Sequence, residues 1–125
     1  MAKVTVPNVS RAKMAAARSG ERTLRPIKMI AFGDGGVDEN GAVQTPSPTM
    51  TKLNHELLRK PVESVEKVGQ LGYKYGYTIP EGGLDGKSVS EVALIDEEGD
   101  LASIEMFKPK ADDLDSTYYV LDDFS

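Results

Sequence analysis

Hydrophobic positions in this chain fall into short blocks separated by glycine, proline and acidic clusters, and their period changes along the sequence. Lys3-Val4-Thr5-Val6 has β character and is ended by Pro7. Ala12, Ala15, Ala16 and Ala17 predict a helix that starts from a cap at Asn8 or Ser10, runs through Arg18 and ends at Gly20. Ile27 to Phe32 is an apolar run of strand length. It stops at Gly33-Asp34-Gly35-Gly36, where a sharp turn with glycine at positive φ is expected. Residues 37–48 read as an exposed loop. Beyond it, Ser47 as a cap, Pro48 at the first helical position and Met50, Leu53 and Leu57 at helical spacing predict a second helix, stopped by Pro61.

From Leu71 to Ile79 the apolar and small or polar residues alternate strictly, the clearest strand signal in the chain. The alternation sends Tyr73, Tyr75 and Tyr77 to one face and Gly72 and Gly76 to the other. Ser88–Ile95 and Leu101–Phe107 flank Asp96-Glu97-Glu98-Gly99-Asp100, which predicts a β-hairpin with a glycine-bearing turn. Thr117–Leu121 is a final expected strand. Two helices and four to six mostly antiparallel strands make the expected class α+β, with residues 1–125 as a single domain.

Composition narrows the function classes. The 125 residues are 39% hydrophobic and 28% charged, as in soluble globular proteins. The absence of cysteine removes disulfides, thiolate metal sites and cysteine nucleophiles together. The N-terminus lacks an uninterrupted apolar core, and nowhere is there a run of about 18 apolar residues, so neither a cleaved signal nor a membrane span is expected.

Net charge is −5, but the charges are sorted. Residues 1–28 carry seven basic side chains against Glu21 alone, whereas residues 96–125 carry ten acids against Lys108 and Lys110. These two ends, residues 1–28 and 96–125, are expected to attract, within one subunit or between head-to-tail neighbours, and residues 108–125 form an acidic tail. Arg11, Arg18, Arg22 and Arg25 on one side and Asp112, Asp113, Asp115, Asp122 and Asp123 on the other are the expected contact residues. A nucleic-acid surface is disfavoured, because residues 1–31 contain no aromatic side chain to interleave with the charge.

Catalytic and metal chemistry finds little support. His55, the sole histidine, lies beside Glu56 without a motif that supplies a nucleophile, and a packed helical position is its expected role. The glycine loop departs from G-x-G-x-x-G, since Asp38 stands where the last glycine belongs, and its acids repel phosphate. Oxygen donors cluster at Asp34, Asp38, Glu39 and Asn40 and again at Asp96, Glu97, Glu98 and Asp100. An EF-hand counted from Asp38 has Thr49 where the glutamate is required, so solvated turn acids are preferred to a calcium site. Neither an enzyme nor a metal or other cofactor is expected. The tyrosine row is read as the packed face of a strand, with an exposed carbohydrate- or partner-binding row as the alternative.

Taken in order, the alanine-rich helix, Ile27–Gly36, the proline-bearing loop, Thr51–Arg59 and Val89–Leu101 resemble the N-terminal domain of phage tail-collar fibre proteins. The resemblance covers roughly residues 10 to 107. It rests on the Gly33-Asp34-Gly35-Gly36 loop, on a helix bearing Leu53, Asn54, Glu56 and Arg59 with one inserted histidine, and on a hairpin bearing Glu91, Leu94, Asp96, Gly99 and Leu101. Ala93 replaces the glycine that the family's pattern places before Leu94. The resemblance implies an attachment module joining a fibre to the baseplate of a contractile tail. Since such a module usually continues into a shaft, a connector lacking its fibre is expected. It further implies a homo-oligomer that contacts other tail, baseplate or fibre proteins, is assembled in the bacterial cytoplasm and is located in the tail of a virion or a tail-like particle. Nucleic-acid and membrane partners are not expected. A carbohydrate-binding adhesin using Tyr73, Tyr75 and Tyr77 is the alternative function.

Overall fold

The computed structural model describes residues 2–67, 69–70, 72–78, 84, 86–110 and 117–121. The elements run in the order β1 (Lys3–Thr5), α1 (Asn8–Arg18), β2 (Ile27–Gly33), β3 (Glu56–Pro61), β4 (Ser64–Lys67), β5 (Tyr73–Thr78), β6 (Val89–Asp96), β7 (Leu101–Lys110) and β8 (Thr117–Leu121). The large sheet has the order β1-β7-β6-β2-β3 and the small sheet β4-β5-β8, and the pairings of named strands are antiparallel.

This mostly-β architecture corrects the expected α+β class with two helices. Among the described residues there is one helix, α1. The segment from Met50 to Arg59, expected to be helical, is irregular up to His55 and then becomes β3, paired with β2 from Met29↔Pro61 to Gly33↔Glu56. Sheet pairing overrides the helical spacing because the outer edge of β2 would otherwise expose a row of backbone donors and acceptors. The apolar spacing still serves burial, since Leu53 is buried and Met50 half-buried against the large sheet. Phe32 faces Leu58 while Gly33 faces Glu56, so Leu57 is the extra residue of a bulge. The bulge also explains an ion pair: it brings Glu56 and Arg59, three residues apart, onto the same side of β3, with Arg59 Nη2 2.8 Å from Glu56 Oε1.

Helix α1 differs from expectation in its cap. Pro7 precedes it with extended backbone, and its carbonyl accepts from the amides of Ser10 and Arg11 at 3.0 Å each, without a side-chain cap from Asn8 or Ser10. Gly20, at φ +87°, ends it as expected.

Alternation along the large sheet divides the core in two. Ile30, Phe32, Val92 and Leu94 face the small sheet and pack with Tyr75 and Tyr77, and the rings of Phe32 and Tyr77 meet at 4.6 Å with a 54° tilt. Ala31, Ala93, Ile95, Ile104 and Met106 occupy the opposite face, covered by Val43, Met50 and Leu53 from the segment between β2 and β3. Central β6 is therefore buried at all eight positions, which accounts for the apolar run Val92–Ile95, with Ser90, Glu91 and Asp96 as its buried polar residues. The chain passes between sheets at Val62 and Glu63: the Val62 amide donates to the Lys28 carbonyl at 2.9 Å and the Glu63 amide to that of Gly76 at 2.8 Å. Among the described residues no helix is long and apolar enough to cross a membrane.

Candidate functional site: a buried carboxylate and an ion cluster

Glu91 interrupts the apolar sequence of β6, and its side chain is fully buried. A carboxylate in that position must be matched by donors. Its Oε2 accepts from the amides of Gly35 and His55, each at 2.8 Å, and its Oε1 from the amide of Asn54 at 3.0 Å. Around this centre the two segments also bind each other. Asn54 Nδ2 donates to the Gly35 carbonyl at 2.9 Å, the Asp34 amide donates to the His55 carbonyl at 3.1 Å, and His55 Nδ1 pairs with Asp34. The neighbouring Ser90 accepts the Gly36 amide on Oγ at 2.9 Å.

The glycines of this loop are needed for close approach rather than for positive φ, which none of the three adopts. A Cβ at Gly33 would lie 2.5 Å from Glu91 Oε2, one at Gly35 2.5 Å from Asn54 Cβ, and one at Gly36 2.6 Å from the Ser90 carbonyl carbon. The expected turn is therefore a glycine cradle around a carboxylate that the protein itself supplies.

A second polar centre lies at the β6–β7 turn. Asp96 Oδ1 accepts the amides of Glu98 and Asp100 at 2.9 and 3.0 Å, and Gly99, at φ +90°, completes the turn. Lys13 of α1 points its ammonium into this turn, with Nζ 2.7 Å from Asp96, 2.8 Å from Glu98 and 2.6 Å from Asp100. The three carboxylates lie within 4.8 Å of one another, a spacing a metal ion could use, but Lys13 supplies the cation. Partial burial works against the Lys13 charge, and the hydrogen bonds to Asp100, Asp96 and Glu98 outweigh it, so the ammonium is held above its ordinary pKa. Hydrogen bonds from Lys13 and then Arg22 hold the Glu98 carboxyl below its ordinary value. Arg22 pairs with Glu98, and Arg25 stands 3.7 Å from Glu97.

These two centres account for most of the residues singled out in the sequence. Gly33, Asp34, Gly35, Gly36, Asn54 and Glu91 meet at the first, while Leu53, Leu94 and Leu101 are core residues and Glu56 and Arg59 pair on β3. Asp96 and Gly99 form the turn. Half-buried Arg22 and exposed Arg25 pair with that turn, whereas Arg11 and Arg18 are exposed and form no ion pair among the described residues. Asp112, Asp113, Asp115, Asp122 and Asp123 lie outside the described residues. Sequence reasoning did not assign Lys13 as the counter-ion, nor Glu91 as a hub. The available signals were a lone ammonium on an alanine-rich helix and a carboxylate within an apolar run.

His55 is not part of a packed helix. Its ring is well exposed and, among the described residues, bonds Asp34 alone. The pair ties the Gly33–Gly36 loop to the segment that leads into β3. Of the tyrosines, Tyr75 and Tyr77 are buried and Tyr73 is 40% exposed.

Fold and site together define a two-sheet β protein whose polar centres fasten loops and a helix to the sheet. Comparison with protein-family models, with curated proteins and with solved structures returned no match to this chain.

Proposed function

We propose that this chain is a structural attachment module of a phage tail or tail-like particle, joining baseplate or fibre components as part of a homo-oligomeric assembly. The observation that carries the reading is the convergence on Glu91. Motif pieces that resemble the tail-collar fibre family at residues 33–36, at Asn54 and at Glu91 lie far apart in sequence and meet around one buried carboxylate. A set of residues devoted to fixing a loop supports a scaffold role. Burial of Tyr75 and Tyr77 weighs against the carbohydrate alternative, because it leaves Tyr73 as the exposed ring of the row.

Co-expression with sheath, tube and baseplate proteins of one particle, followed by particle purification and labelling of this chain for electron microscopy, tests the proposal. Label at the baseplate or fibre base is expected. Particles that assemble normally and carry none of this chain would refute it.

A further inference from the structure

Pairing within the chain changes the charge balance left for partners. Lys13, Arg22 and Arg25 are engaged by the turn from Asp96 to Asp100. Arg11 and Arg18 form no ion pair among the described residues, and both are exposed. On α1 they stand three residues before and four residues after Met14, so all three side chains share one face. Met14 lines a cavity of about 170 Å³ together with Leu24, Pro26, Ile27, Tyr75 and Ala102. An apolar cavity of about 150 Å³ accepts a benzene ring. Leu24, at 49% exposure, forms part of the lining. The cavity is thus a largely apolar socket with Ser10, Lys13, Arg25 and Asp96 at its polar side, and on the Met14 face of the helix stand Arg18 and Arg11, the latter donating from Nε to the Val6 carbonyl at 3.0 Å and keeping its Nη groups for a partner.

The complementary charge is in the same sequence. Residues 111–125 contain five aspartates and no basic residue, and Asp122-Asp123-Phe124 sets two carboxylates directly beside an aromatic ring. We infer that this socket binds the Asp122-Asp123-Phe124 segment of a second copy of the chain, with the phenyl ring in the cavity and the aspartates on Arg11 and Arg18. The inference rests on the homo-oligomeric part of the reading above and names its contact. Guanidinium–carboxylate pairs set register, and burial of an aromatic anchor supplies the main part of the affinity.

Sedimentation velocity of the full chain, from about 1 µM to about 500 µM, reads the association directly. Wild type is expected to self-associate and to weaken at about 0.5 M salt, where charges are screened beyond about 4 Å. R11E/R18E and D122K/D123K should each weaken association about tenfold or more, as should Phe124→Ala, and mixing the two charge-reversed proteins should restore it. Arg11 and Arg18 are exposed, and circular dichroism verifies that each variant is folded. A monomer at every concentration overturns the inference, as does association indifferent to the reversals or not restored by mixing. A concentration-independent change in the Met14 methyl resonance on deleting residues 122–125 also overturns it, because the segment would then occupy its own socket. If self-association fails while the chain still joins particles, this inference falls alone. If self-association holds while particles exclude the chain, the tail reading falls and the contact stands.

Discussion

Replacing Glu91 by glutamine tests the buried hub with almost no change of volume. Its side chain is fully buried and accepts three backbone amides, two on Oε2 and one on Oε1. In E91Q the amide oxygen can keep the two bonds from Gly35 and His55, while the new NH₂ faces the Asn54 amide, donor against donor. One charge-assisted bond is lost, at about 1.5–3 kcal/mol, and two become neutral bonds, at roughly 0.5–1 kcal/mol each. The sum is a loss of about 2.5–5 kcal/mol, a large fraction of the 5–15 kcal/mol typical of a domain. Urea unfolding with linear extrapolation measures it, and hydrogen exchange locates it: the amides of Gly35, Asn54 and His55 should lose protection before those of β6. Exposed Glu21→Gln serves as the control and should change stability by less than about 0.5 kcal/mol. If E91Q matches that control and the three amides keep their protection, the hub does not hold the loop.

Three further outcomes follow from the packing and the charges. Lys13→Met leaves Asp96 and Asp100 without their cation and Glu98 with Arg22 alone, and should cost about 1–2 kcal/mol by urea unfolding, discounted because Glu98 and Asp100 are more than one-third exposed. In wild type, the lowered Glu98 pKa contributes stability at neutral pH that is lost as pH falls below 4.5 through the folded value. The raised Lys13 pKa contributes stability that is fully present below 10.5 and is lost as pH rises from there through the folded value. Midpoints measured across pH should show both limbs, and Lys13→Met should flatten the acid one. Gly36→Ala must displace Ser90 and should lower stability by more than about 2 kcal/mol, whereas Gly41→Ala, with open space around it and φ of +81°, should cost about 1 kcal/mol; thermal unfolding compares the two. Tyr77→Ala should cost about 3–5 kcal/mol in the same assay and Tyr73→Ala less than about 1 kcal/mol, since one ring is in the core and the other is 40% exposed.

The elements legible in the sequence are those whose burial matches their period. β6 and β7 were readable because an apolar run, a glycine turn and a second apolar run describe a hairpin in the middle of a sheet, and α1 because alanine has few competing uses. β3 was misread because the bulge at Leu57 breaks the two-residue alternation and leaves Met50, Leu53 and Leu57 at helical spacing. β4 gave no signal at all: its four residues are all exposed, so no periodic contrast marks them. The pieces of the Glu91 centre were visible singly, as a glycine loop, Leu53-Asn54 and Glu91. Their convergence was not, because the donors are backbone amides, which every residue but proline possesses and no side chain advertises. Of the attraction expected between residues 1–28 and 96–125, the part at the turn from Asp96 to Asp100 occurs within the chain, through Lys13, Arg22 and Arg25, while the aspartates expected as contacts lie outside the described residues.

The segment between β2 and β3 is fastened at both of its roots, at Gly35 and Gly36 on one side and at Asn54 and His55 on the other, while its tip closes on itself. There Val37 bridges to Val43, and Asp38 Oδ1 holds the amides of Asn40 and Ala42. Strain introduced at the tip is therefore absorbed locally before it reaches the sheet. The Asn40-Gly41 position is the natural graft point of this protein, where an epitope or a fluorescent label can be added with the carboxylate clamp acting as a firebreak.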